Sequence, residues 1–130
     1  MKEGTAWELN GDDERLLDIL VSLGYSRSLS KVIVFFLFFK EGLSSEIERT
    51  MNMRQPEVSV AVNKLLGKNC LNCESVESEG KGRPRLKYEV MKSPDEILCD
   101  IENEVKGNIG KQQELLSELK KCMQNVKRKT

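Results

Sequence analysis

The longest uninterrupted apolar stretch in this chain, Val32-Ile-Val-Phe-Phe-Leu-Phe-Phe39, is eight residues long. Wound as a helix it is apolar around its whole circumference, so other parts of the chain must cover it on every side. A membrane span needs about 20 such residues, so the run predicts a core element rather than an anchor, and no membrane partner is expected. Its β-branched and aromatic content would also suit a buried strand. The serine start at Ser26, Lys31 and Lys40 at the edges, and Gly42 as a stop favour a helix over about 26–41. The N-terminus, MKEGTAWELNGDDE, has no apolar core of an export signal. Four cysteines without such a signal are expected as reduced thiols in a cytoplasmic protein.

The remaining elements read as partners for that helix. Asn10-Gly11-Asp12-Asp13 opens a helix over about 12–23, with Leu16, Leu17, Ile19, Leu20 and Leu23 at helical spacing and Gly24 as its stop. Leu43-Ser44-Ser45-Glu46-Ile47-Glu48 starts a short third helix, in which Ser45 and Glu48 fit a capping box. Gln55-Pro56 opens a fourth, because proline suits a first helical position where its missing N–H has no partner to lose. Val58, Ala61, Val62 and Leu65 give this helix one apolar face; Glu57, Ser59, Val60, Asn63 and Lys64 lie on the other. Alternation from Val76 to Glu79, then Gly80-Lys-Gly-Arg-Pro84, then Leu86 to Val90 predicts a β-hairpin. Ser93-Pro94-Asp95-Glu96 starts a helix that runs to the end of the chain. Gly107 and Gly110 are candidate points for a kink in it.

Charge adds a second constraint. The 21 basic and 21 acidic side chains cancel overall, but unevenly. Residues 1–52 carry 6 basic and 9 acidic groups, residues 53–92 carry 8 and 5. In the middle block the cations gather at Lys81, Arg83, Arg85, Lys87 and Lys92 against Glu89 alone. Such a chain does not bind polyanions in bulk, but it can grip one with a single face. The absence of histidine removes Ser-His triads, the commonest general base and every His-containing zinc site. With no nucleophile–base pair, Gly-rich phosphate loop or metal ligand set either, no enzyme activity, cofactor or metal is expected.

The third and fourth helices, separated by about Asn52 to Gln55, have the spacing of a helix-turn-helix, and the basic hairpin follows as a wing. A helix fits the major groove, where base edges carry a unique pattern, and a cationic hairpin beside it reaches phosphates or the minor groove. From Leu20 to about Leu98 the chain resembles the TrmB-like winged-helix transcriptional regulators, common in archaea. The resemblance is carried by Leu23-Gly24-Tyr25 leading into the apolar helix, Ser45-Glu46-Ile47, Val58 through Leu65, Gly82-Arg83-Pro84 with Tyr88, and Pro94 before a long helix. MarR-like and ArsR-like proteins share the same winged helix. The resemblance implies a dimeric, DNA-binding regulator. Longer family members add a sugar-binding domain after the linker helix; with Thr130 as the last residue, that activity is not expected here.

The fold class that follows is mostly α: a winged helix-turn-helix over 1–92 with a short β-hairpin wing, and a long C-terminal dimerisation helix over 93–130. The reading places the recognition helix 56–66 in the major groove of double-stranded DNA and the wing 80–87 on the backbone or minor groove. Candidate DNA contacts are Ser45, Arg54, Gln55, Ser59, Asn63 and Lys64 from the helices, and Lys81, Arg83, Arg85 and Lys87 from the wing. Asn63 can pair bidentately with adenine. Glu57 would repel phosphate and is read as a capping residue rather than a reader of cytosine. Gly82-Arg83-Pro84-Arg85 resembles the minor-groove core of AT-hook peptides.

Counting by threes and fours from Leu98 gives Ile101, Val105, Asn108, Gln112, Leu115, Leu119, Cys122 and Val126, a heptad seam for a homodimer. Leu98, Ile101, Val105, Leu115, Leu119 and Val126 are its apolar members. Cys70-Leu-Asn-Cys73 has a metal or redox spacing, but Cys99 and Cys122 stand about 35 Å apart on one straight helix, so one chain cannot gather four thiols. The cysteines read as structural. Two rival readings remain: a non-enzymatic winged-helix adaptor for the transcription machinery, favoured by the acidic first third, and a regulator switched by the Cys70 and Cys73 thiols.

Overall fold

A computed structural model describes residues 11–76 and 85–124. Helices α1 (Gly11–Ser22), α2 (Arg27–Phe38), α3 (Ser44–Thr50) and α4 (Gln55–Gly67) alternate with strands β1 (Glu41–Leu43), β2 (Leu71–Val76) and β3 (Arg85–Val90), and α5 (Pro94–Gln124) follows. The chain divides into two compact units between Pro94 and Asp95. No helix among the described residues is long and apolar enough to cross a membrane.

The apolar run is a helix, and it is the centre of the first unit. Val32, Ile33, Val34, Phe35 and Phe36 are consecutive and all buried. In a helix that sequence of neighbours points in every direction, so α1 packs on one side of α2, and α3 and α4 on others. Ser26 caps α2, its hydroxyl accepting from the Leu29 N–H at 3.2 Å. Ser30, fully buried, donates to the Ser26 carbonyl at 2.7 Å, so its hydroxyl enters the core already paired.

The expected end of α2 near residue 41 is corrected to Phe38. Phe39 is extended, and Glu41–Leu43 form a strand too short to show a period in sequence. The three antiparallel strands lie in the order β1-β3-β2, with Gly42 opposite Tyr88 on one edge and Cys73 opposite Tyr88 on the other. Val90 N–H donates to the Lys40 carbonyl at 2.8 Å and extends that pairing back toward α2. Gly42 is required by packing: a Cβ there would lie 2.7 Å from Cζ of buried Phe35.

The strand expected from Val76 begins earlier, at Leu71, and β2 is described through Val76; the rest of the expected Val76–Glu79 strand lies outside the described residues, which leave out 77–84. The start of α3 differs too. Because Leu43 belongs to β1, the helix begins at Ser44, and the Glu46 carboxylate accepts from the Leu43 N–H at 2.9 Å. The expected Ser45–Glu48 box gives way to this closure, in which both the cap position and the carboxylate lie earlier in the chain. α5 is one continuous helix of 31 residues that runs through Gly107 and Gly110 without a break.

Replacing Gly42 by alanine presses a methyl group onto the buried Phe35 ring, which packs against the rings of Phe36 and Phe39. The expected loss is about 1–3 kcal/mol of unfolding free energy, read by chemical denaturation.

Candidate nucleic-acid interface

The α3–α4 turn is built from the chain's own conformational preferences. Asn52 adopts φ +52°, a left-handed conformation that asparagine tolerates better than most residues. Met53 N–H closes onto the Glu48 carbonyl at 2.8 Å, and Lys31 Nζ donates to the Asn52 carbonyl at 3.3 Å. Met51 and Met53, both buried, pin the turn to the core on either side of Asn52. The angle between the two helices is therefore held from within.

On α4 the expected apolar face, Val58, Ala61, Val62 and Leu65, is buried. At 100° per residue the opposite face carries Pro56, Ser59, Val60 and Asn63, with Lys64 at its edge. Asn63, Lys64, Gln55 and Arg54 are exposed and Ser59 is half-buried. Arg54 is the N-cap residue and Pro56 stands in the first turn. Glu57 accepts from Ser28 Oγ of α2 at 3.4 Å, so its carboxylate turns toward its own fold. Ser45 is exposed near the start of α3. Sequence reasoning did not select Val60, which is 57% exposed at the middle of that outward face. A branched apolar side chain there can touch a thymine methyl group. The signal that could have found it was its position one residue from Ser59 and three from Asn63.

In the hairpin, Arg85 opens β3 opposite Val76 and is exposed. Lys81 and Arg83 fall outside the described residues. Lys87 is placed by the sheet. It lies in the central strand, with Nζ 3.1 Å from Glu41 of β1 and 3.8 Å from Glu74 of β2. The hydrogen bond and charge of Glu41 hold its pKa above the usual lysine value. Its cation thus bridges the two outer strands.

Cys70 is buried and Cys73 half-buried, and neither is in a disulfide. Cys70 precedes β2 and ties two elements by its backbone: its N–H donates to Leu65, and its carbonyl accepts from Met91 at 2.8 Å. Cys73 lies across the strand pair from Tyr88. Among the described residues no group of three or more His, Cys, Asp or Glu could hold a metal ion.

On α5, Leu98, Leu115 and Leu119 are each more than half exposed, and Ile101 and Val105 are half-buried. Val126 lies outside the described residues. Ile109, Leu116 and Met123 are also exposed. At 100° per residue Ile109, Leu116 and Met123 align with Leu98, Ile101, Val105 and Leu119 along one side of the helix. Leu115, Leu116, Leu119 and Gln112 line a shallow depression of about 320 Å³ on this helix.

No family profile and no curated protein matches the chain. Solved structures do. A possible transcriptional regulator from Methanosarcina mazei superposes with a TM-score of 0.56 at 20% identity, over 77% of this chain and 83% of that one. A MarR-family regulator from Silicibacter pomeroyi gives 0.50 at 13%, over 90% and 83%. The archaeal chromatin protein TrmBL2, described as showing a novel mode of DNA binding, gives 0.50 at 13%; this chain covers 44% of its length. At these identities the likeness shows the fold, a mostly helical winged helix that these regulators share.

Burial, and then the adjacent Cys73 thiol, raise the Tyr88 phenol above its ordinary pKa of 10. The unfolded chain therefore releases this proton first. Stability should be intact below pH 10 and fall as pH climbs from there through the folded value. Denaturation curves between pH 9 and 11 should show a shallower decline for Tyr88→Phe than for the parent.

Proposed function

We propose that this protein is a DNA-binding transcriptional regulator acting as a homodimer, with α4 in the major groove and the hairpin on the backbone or minor groove. The observation that carries the reading is the division of α4 into two faces. One is locked into the core through Val58, Ala61, Val62 and Leu65; the other presents Ser59, Val60 and Asn63 with Lys64 at its edge. A rigidly held helix with short polar and branched side chains outward has the shape and chemistry for base edges.

The roles divide by chemistry. Asn63 offers both a donor and an acceptor from one planar group and suits adenine. Val60 beside it offers apolar contact to a thymine methyl. Ser45, Arg54, Gln55 and Lys64, around the helix ends, suit phosphates, which fix register without reading sequence. Arg85, with Lys81 and Arg83 just before it in sequence, supplies charge to the neighbouring groove or backbone. Ser59 can serve either purpose.

Selection of bound sequences from random DNA, followed by affinities across several salt concentrations, tests this reading. Asn63→Ala should weaken the preferred site by about 1–3 kcal/mol and leave non-specific binding nearly unchanged. Arg83→Ala with Arg85→Ala should weaken all sequences alike and reduce the log–log salt slope by about one for each phosphate no longer neutralised. An unchanged slope and affinity in the arginine double variant removes the hairpin from the DNA interface. That outcome advances the adaptor reading, in which a winged helix binds another protein.

A further inference from the structure

The charge on α5 changes sign along its length. Asp95, Glu96, Asp100, Glu102 and Glu104 fill its first third, and residues 95–105 contain no lysine or arginine. Beyond them Lys106, Lys111, Lys120 and Lys121 outnumber Glu114 and Glu118, and the sequence goes on through Lys127-Arg128-Lys129. The same helix carries an exposed apolar stripe that needs a cover.

We propose that α5 pairs with the α5 of a second copy in antiparallel orientation, centred between Gly110 and Lys111. This rests on the homodimer reading above and adds the direction of the pairing. Helix axes in contact stand about 8–10 Å apart, so charges flanking the stripe face their counterparts closely. A parallel pair sets acidic third against acidic third and lysine against lysine. An antiparallel pair sets each acidic third against the partner's Lys120 and Lys121.

The apolar positions fit the same centre. Leu98 then lies opposite Met123, Val105 opposite Leu116 and Ile109 opposite Gln112, while Ile101 lies opposite Lys120, next to Leu119. Every layer holds at least one large apolar side chain, and Asp100 lies across from Lys121. The polar interruption also finds a partner. The two Gln112 residues are separated by three residue steps along the pair, about 4.5 Å, close enough for their amides to hydrogen-bond each other.

A distance measurement on the full chain decides the direction. Cys122 is exposed and Cys70 buried. With Cys73→Ser and Cys99→Ser, a nitroxide on Cys122 reports one separation between protomers. The antiparallel pair places the two labels about 35 Å apart along the axis, from 23 residue steps at 1.5 Å. A parallel pair places them side by side, below about 20 Å given an interaxial gap of about 10 Å plus the label arms. A short distance overturns the orientation and leaves the dimer standing. No dipolar distance together with a monomer in sedimentation overturns the orientation and the dimer alike.

Charge exchange supplies an independent readout. Lys120→Glu with Lys121→Glu should raise the dimer dissociation constant about tenfold, and adding Asp100→Lys with Glu102→Lys should recover most of that loss. In a parallel pair the first change only replaces one like-charge contact by another. Equal dissociation constants for parent and Lys120/Lys121 variant would therefore overturn the proposal.

Discussion

All-round burial of α2 is the constraint from which the first unit follows. Five consecutive buried residues leave α2 no solvent face between Val32 and Phe36. Each direction has to be closed by a different element, and α1, α3 and α4 do so. Covering α2 uses up the apolar face of α4 and fixes the helix about its own axis. Ser59, Val60 and Asn63 are turned outward as a consequence. Phe35 extends the constraint to the sheet, since its ring occupies the space that a side chain at position 42 would need. The presentation of the candidate recognition surface is thus set by a helix that has no part in it.

What was legible in the sequence was whatever has a long period or a strong stop. The buried face of α4 repeats at helical spacing, and proline and a φ-positive asparagine mark its entry, so the helix and its outward residues could be read. Ser26 capping α2 was readable for the same reason. What was not legible depends on pairing at a distance. Strand β1 has three residues and no alternation; it exists because β3 offers an edge to it. The strand takes Leu43, which is why the cap of α3 moved from Ser45 and Glu48 to Leu43 and Glu46. β2 was placed too late because Leu71 and Cys73 alternate with polar residues too briefly to stand out from the turn before them.

Lys87 shows the same limit for the candidate site. In sequence it is the fourth cation of a basic run. In the fold it occupies the central strand, with Glu41 and Glu74 on the strands either side. A charge run in a hairpin cannot be assigned to one partner until the strand order is known, because neighbouring strands bring carboxylates from distant parts of the chain. Glu57 teaches the complementary point. A carboxylate beside a recognition surface would repel phosphate, but accepting from Ser28 turns it toward α2. The hairpin strand is accordingly milder in charge than the sequence suggests.

The spacing of the α5 stripe bears on twist as well as on cover. It advances by eleven residues from Leu98 to Ile109, in steps of three, four and four, and then by heptads through Gln112, Leu116, Leu119 and Met123. A strict seven-residue repeat drifts against the 3.6-residue helix and forces a left-handed supercoil, whereas an eleven-residue repeat drifts the other way. A partner helix laid on this stripe would therefore run nearly straight along the acidic third and coil left-handed only beyond Ile109. Because the two ends differ in twist as well as in charge, parallel pairing matches twist with twist but opposes like charges. Antiparallel pairing matches opposite charges but sets the straight third of one helix against the coiling third of the other. Five carboxylates in one third, with no cation among them, give the electrostatic preference its weight. The twist mismatch is spread over many residues and a long helix absorbs it by gentle bending.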